Sequence, residues 1–451
     1  MSGIIMVGIG CVMLGFSFKN VSWFVLVCGL GVIVSVLSVS SDFYALSSCW
    51  FGVDEVGVLM IVLSLLVTMI SLVSSYKDVK SDCGPAAGGF SIIEMVGFIC
   101  LGSLLFFSVC GWMDFFFFFE FSLVPTFFLI LKWGYQPERL QAGVYMLLYT
   151  VSSSLPLLMG LLWFWSYLKS DNMLLVKMLS GFYGSEMDFT WLVMCLGFIV
   201  KLPVYGFHGW LPKAHVEAPL SGSMMLAGVL LKFGGYGLVR FMWFSESPIG
   251  KATLLVLVMS LWGGVLSSCI CVCQSDLKSF IAYSSIGHMG VALGSLLTFY
   301  SVGKLSCVCM LFAHGLCSPI LFSLAASSYD ISQSRNILLS KGVLRAFPMF
   351  SGMWFVFCVI NMGFPPSLNF FSELFCVGSL VWMSSVVGVL GGLMCFVAGC
   401  YCLVLYSLVN HGGPSVMMKP SMNLSSRYIY SGVFSGFILV FGSFCLDLFF
   451  V

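Results

Sequence analysis

Six ionisable side chains stand inside apolar runs of this 451-residue chain. Glu120 lies mid-run in DFFFFFEFSLVP, with Pro125 just over a turn beyond, and Lys201 lies about ten residues into another run with Pro203 behind it. Lys232 is flanked by Gly234, Gly235 and Gly237, and His288 sits within SFIAYSSIGHMGVALG. His314 is central in CMLFAHGLCSPILF, and Glu373 follows NMGFPPSLNFFSEL, where Pro365 and Pro366 interrupt any helix. A cation at the bilayer centre costs roughly 2.5–3.5 kcal/mol even on lenient insertion scales, so each such group is a functional candidate by default.

Each group also has a plainer reading. A membrane histidine often links helices by hydrogen bonds, a Glu–Lys pair can fix helix register, and proline is common in spans. The combination points further. Lysine is a poor structural bridge, because its proton affinity moves with its surroundings whereas arginine holds its charge. Carboxylate, amine and imidazole groups in succession make a set of proton carriers tunable by their neighbours. Glu94 and Asp114 lie near run ends and are expected to be solvated.

Composition fixes the setting. Hydrophobic residues make up 60% of the chain and charged ones 8%, against about 25% in a soluble domain. The mean hydropathy is +1.07 and the net charge +1, so the chain reads as a polytopic membrane protein with no charge argument for nucleic acid. Nineteen cysteines lie mostly singly in apolar runs; Cys269, Cys271 and Cys273 alternate across helix faces and read as packing residues. The stretch MSGIIMVGIGCVMLGFSFKN lacks a basic region before its apolar run and reads as an uncleaved first span.

A span needs about 20 apolar residues. On that rule we expect an all-α architecture of about 14 transmembrane helices, near 3–18, 21–40, 56–75, 91–109, 112–131, 142–168, 190–207, 220–242, 252–273, 280–301, 304–326, 347–374, 380–408 and 429–449. Twelve lysines and arginines then fall on one side, five on the side of the termini and two within the membrane. That bias puts both termini away from the cytoplasm or matrix.

Spans 4–8 and 9–13 each hold a proline-broken helix with an ionisable group as their fourth member, at spans 7 and 12. Five is odd, so the two units form inverted repeats of the kind found in ion-moving transporters. The expected division is 1–90 (a three-helix segment), 91–242 (first repeat), 250–408 (second repeat) and 409–451 (loop and last helix).

Other signals are weak. His208 and His215 lack a third ligand for zinc, and FGGYG has the wrong spacing for a dinucleotide site. No P-loop, CxxC, haem-attachment or nucleophile motif occurs, and no redox site is visible in this chain.

The strings FEFSLVPTFFLILKWGYQPERLQAG, VKLPVYGFHGWLPKAHVEAPLSGSMMLAGVLLKFGGYGLVR, SDLKSFIAYSSIGHMGV, AHGLCSPILF and FPPSLNFFSELF closely resemble the subunit 4 family of mitochondrial NADH dehydrogenase. These are antiporter-like membrane subunits of respiratory complex I. The likeness is strong from about 115 to 375 and rests mainly on length and hydropathy outside it. It implies a proton-translocating subunit of NADH:ubiquinone oxidoreductase, driven by redox chemistry in other subunits, with Glu120, Lys201, Lys232, His288, His314 and Glu373 as the relay. It further implies no cofactor in this chain, with flavin and iron–sulfur clusters in partner subunits. The implied partners are other membrane-arm subunits, neighbouring antiporter-like subunits among them, and the lipid bilayer, with cardiolipin as a candidate lipid. The implied location is the mitochondrial inner membrane, both termini facing the intermembrane space. Gly209 and the turn at 328–346 depart from the family pattern. A stand-alone cation/proton antiporter subunit of the related type remains the alternative, since it needs the same relay.

Overall fold

In lipid, backbone N–H and C=O groups can only satisfy one another, and long apolar runs therefore close into helices. The computed structural model describes residue 10 and residues 21–39, 50–82, 90–173, 188–242, 250–413 and 425–450, and among them no strand occurs. The expected first span at 3–18 lies outside the described residues, residue 10 apart. Eight described helices are long and apolar enough to cross a membrane, or nine if one bent pair is a single span. Shorter apolar helices occur at Val21–Val36, Ile92–Ser108, Trp191–Lys201 and Leu368–Met383. The chain divides into two compact units: Met1–Lys201 with Glu217–Gly250, and Leu202–Val216 with Lys251–Val451.

The helices of the first unit are α1 (Val21–Val39), α2 (Glu55–Ser74), α3 (Tyr76–Asp82), α4 (Ile92–Ser108), α5 (Trp112–Phe121), α6 (Leu123–Trp133), α7 (Arg139–Leu168) and α8 (Asp188–Lys201). The short α9 (Trp210–Glu217) falls in the second unit but for its last residue, and the first unit resumes with α10 (Leu220–Met225), a π turn at Leu226–Leu230 and α11 (Leu231–Phe241). The run of phenylalanines on α5 has two faces. Phe115 and Phe119, one turn apart, are fully buried, whereas Phe117 is 60% exposed and faces outward. Phe115 packs on Phe106 at 4.4 Å, and Phe106 stacks on Phe233 at 4.2 Å. This aromatic core ties α4, α5 and α11 together.

Two ionisable residues of this unit are buried on partners of their own. Glu94 is buried, not solvated. It is the third residue of α4, and its carboxylate accepts the Ser91 amide N–H at 2.9 Å while Ser91 Oγ accepts the Glu94 amide N–H. This reciprocal cap satisfies helix-start donors that lipid cannot. Arg240, in the last turn of α11, is buried too. It donates to the Asp54 carboxylate and, at 2.8 Å, to the Tyr236 hydroxyl.

The second unit holds α12 (Lys251–Val272), α13 (Leu277–Leu296), α14 (Ser301–Ser332), α15 (Val343–Ala346), α16 (Pro348–Asn361), α17 (Leu368–Met383), α18 (Ser385–Asn410), α19 (Ser426–Phe441) and α20 (Asp447–Phe450). Helices α12 and α13 approach closely: a Cβ on Gly290 would stand 2.7 Å from the Ser260 carbonyl, so only glycine fits. The long α14 is buried along nearly all its length. It runs to Ser332, past the expected end at 326, and there Ser327, Ser328 and Ser332 satisfy their buried hydroxyls on carbonyls of their own helix.

The stretch HGWLPKAHVEAP contains α9. His215 on α9 is fully buried and stacks on Phe322 at 4.6 Å, while His208 stacks on Tyr205 at 4.8 Å. The two histidines thus serve separate contacts.

Candidate functional site

The first unit places Glu120, Lys201 and Lys232 on α5, α8 and α11. Helix α8 ends at Lys201 because Pro203 cannot donate to a continuing ladder and Gly206 turns the chain with a left-handed φ of +101°. A lysine at that terminus meets the negative end of the helix dipole. Its side chain crosses to α5, where Nζ donates to the Phe119 carbonyl at 2.6 Å and lies 3.2 Å from the Phe119 ring centroid. That carbonyl is open to side chains because the helix is interrupted at Ser122, between α5 and α6. Ser122 Oγ donates to it as well, at 3.1 Å.

Glu120 is the next residue. Its Oε1 is buried with no hydrogen-bond partner among the described residues, and the Ser154 hydroxyl of α7 donates instead to the Val151 carbonyl of its own helix. Glu120 and Lys201 feel each other's charge but form no ion pair within 4.0 Å. The lysine is thus anchored on backbone beside the carboxylate and not on the carboxylate itself.

Lys232 has no solvent exposure at all. The π turn before it widens the backbone, and Lys232 Nζ reaches back to donate to the Ala227 carbonyl within that turn at 2.5 Å. Such bulges recur at functional positions. Phe233, the following residue, has its ring centroid 5.8 Å from Lys201 Nζ.

The second unit gathers His288, His314 and Glu373 from α13, α14 and α17. The imidazole rings of His288 and His314 are 5.6 Å apart. Nδ1 of His288 lies 3.2 Å from Glu373 Oε1, at ion-pair distance but without the alignment of a hydrogen bond. Glu373 is brought there by the break between α16 and α17. Met362 to Ser367 cross it, Gly363 adopts φ +70°, and the Ser367 hydroxyl caps α17 by accepting the Phe370 amide N–H. A Cβ on Gly363 would stand 2.3 Å from Glu373 Oε2, so this glycine both turns the chain and leaves room for the carboxylate.

One residue of this cluster escaped the sequence reading. Tyr401 on α18 is fully buried, and its hydroxyl lies 3.0 Å from His288 Nε2. An aromatic in an apolar run reads as core, and nothing in its spacing marks it.

Thus the first unit brings Glu120 and Lys201 together, with Lys232 buried on its own helix, and the second gathers His288, His314 and Glu373; a helix breaks beside Lys201 in the one and ahead of Glu373 in the other. The same fold occurs in a chain of respiratory complex I from Thermus thermophilus with bound NADH, at a TM-score of 0.85 and 20% identity over 99% of this chain and 97% of that one. It occurs also in the Mrp complex from Dietzia sp. DQ12-45-1b, at a TM-score of 0.81 and 14% identity over 99% and 94%. The fold class is therefore that of the multi-helix membrane subunits of these assemblies.

A family model described as NADH:quinone oxidoreductase/Mrp antiporter, TM, matches residues 110–399. The curated protein NADH-ubiquinone oxidoreductase chain 4 of Albinaria caerulea is 37% identical over 91% of this chain and 92% of its own. Its namesake from Aedes aegypti is 42% identical over 88% of each. The chain belongs to this membrane family and, within it, to the NADH-ubiquinone oxidoreductase chain 4 group.

Proposed function

We propose that this chain is a proton-translocating membrane subunit of an NADH–ubiquinone oxidoreductase, and that Glu120, Lys201, Lys232, His288, His314 and Glu373 carry the proton. The observation that carries the reading is the placement of Lys201. A wholly buried amine at a helix break is held by a carbonyl next to a carboxylate that has one oxygen unpartnered. A charge so placed is costly, and ionisable groups kept within a membrane mark ion and proton pathways.

In this reading Glu120 and Lys201 form a switch. While the carboxylate is near, the amine keeps its proton; as they separate, the amine loosens its hold and the proton moves on toward Lys232. The imidazoles of His288 and His314 take it up, and Glu373 releases it to the far aqueous side. Moving one charge against 100 mV costs about 2.3 kcal/mol, and one unit of pKa is worth about 1.4 kcal/mol, so modest rearrangements supply the step. The energy comes from partner subunits, where flavin and iron–sulfur clusters reside; this chain supplies no redox group. The location that fits is the mitochondrial inner membrane, with both termini in the intermembrane space.

The test is to make Lys201→Ala and Glu120→Gln and to assay assembled complex in vesicles. Loss of proton movement per electron at preserved assembly supports the reading, and an unchanged proton-to-electron ratio in both variants ends it. The antiporter alternative draws on the likeness to the Mrp complex, which is one of fold. Copurification with flavin and iron–sulfur subunits decides against it.

A further inference from the structure

We infer that Tyr401 is a positioning residue for His288: it occupies Nε2 of the imidazole and so confines proton exchange to Nδ1, the nitrogen that faces Glu373. The inference rests on the relay reading above and deepens it at one residue.

The geometry is short to state. Tyr401, His288 and Glu373 come from three different helices, α18, α13 and α17, and all three are buried. The Tyr401 hydroxyl is 3.0 Å from Nε2, and Glu373 Oε1 is 3.2 Å from Nδ1. The two ring nitrogens therefore face different partners of different chemistry. A phenol hydroxyl both donates and accepts. It donates to Nε2 when that nitrogen carries a lone pair, and it accepts from Nε2 when that nitrogen carries a proton. Either way Nε2 stays engaged, and the ring cannot turn without breaking a buried hydrogen bond.

A carboxylate can only accept. Uptake of a proton from the relay and its release to Glu373 then both pass through Nδ1, and the release is a balanced step. The Nδ1–H bond of the imidazolium breaks and an O–H bond forms on Glu373, giving neutral imidazole and carboxylic acid. Reversal takes the same proton back. The ionisable neighbours that bear on this step are His314, whose ring is 5.6 Å away, and the Cys376, Cys395 and Cys402 thiols, which interact electrostatically with Glu373. The group at Nε2 is the Tyr401 hydroxyl.

The experiment compares Tyr401→Phe, His288→Gln and the double variant in assembled complex in vesicles, measuring NADH–quinone turnover and proton-to-electron ratio together. We expect Tyr401→Phe to keep turnover while losing at least half as much of the ratio as His288→Gln loses. We expect the double variant to be no lower than His288→Gln alone, because a pin has no function once the ring is gone. A merely structural tyrosine would lower the double variant further, and that additivity overturns the inference. So does a normal ratio in Tyr401→Phe beside a lowered one in His288→Gln, which leaves the relay standing. Failure of Tyr401→Phe to assemble, from loss of one oxygen atom, assigns the hydroxyl to structure and also overturns it. A normal ratio in His288→Gln removes His288 from the relay, and the inference falls with it.

Discussion

Lys201 donates to the carbonyl of Phe119 at 2.6 Å, one residue short of the carboxylate whose charge it feels. A direct ion pair would hold both groups in one geometry and resist separation. Anchoring on the neighbouring carbonyl leaves Glu120 able to shift without first breaking a salt bridge. In the proposed switch Lys201 is thus the fixed arm and Glu120 the movable one.

Glu120→Gln keeps the shape of the side chain while removing the charge that Lys201 feels. We expect complex carrying it to assemble and turn over NADH, with a reduced proton-to-electron ratio measured in vesicles. Lys201→Arg should behave similarly, because a guanidinium does not give up its proton.

Gly363→Ala should reduce assembled complex. The added Cβ meets Glu373 Oε2 at 2.3 Å, and φ +70° strains any L side chain. Such backbone strain costs about 1–3 kcal/mol, before the displacement of the carboxylate. Blue-native gels and thermal stability of the complex read the loss. The same variant should impair pumping in whatever complex forms.

Asp54→Asn should destabilise the first unit more than an ordinary surface change. Arg240 is buried, and Asp54 is the carboxylate that compensates its charge. Removing one partner of a buried pair costs about 3–5 kcal/mol, an upper figure here because Asp54 is 37% exposed. Ser91→Ala should cost about 1 kcal/mol through loss of the α4 cap. Denaturation midpoints of the two variants should fall in that order.

Asp171, in the connection after α7, accepts the Met113 amide N–H at 3.1 Å. Its partial burial holds the carboxyl above the usual aspartate range. A carboxyl raised in the folded state adds stability that is present at low pH and lost as pH rises through the folded value. Asp171→Asn should therefore flatten the pH dependence of stability above the ordinary aspartate range while keeping the contact to Met113.

Much of the architecture was legible in the sequence, for physical reasons that differ by residue. Lys201 with Pro203, and Pro365–Pro366 with Glu373, announce themselves because lipid penalises charge and proline removes a donor. The structure breaks its helices at both. The cap at α4 was legible but unread: Ser91-Ile-Ile-Glu94 is the capping-box pattern at the start of an apolar run. Arg240 and Asp54 lie 186 residues apart, and no local rule joins them. Tyr401 and the π turn before Lys232 were likewise hidden, since both depend on how packed helices meet and not on spacing along one of them.

If these buried amines and carboxyls move protons and are not merely tolerated, Lys232→Met must uncouple the complex, because Lys232 has no exposure and methionine fills much of its volume without a charge. The decisive quantity is the proton-to-electron ratio of assembled complex in sealed vesicles. Normal assembly, sustained NADH–quinone turnover and a lowered ratio are expected; normal turnover with an unchanged ratio would show that Lys232 carries no proton.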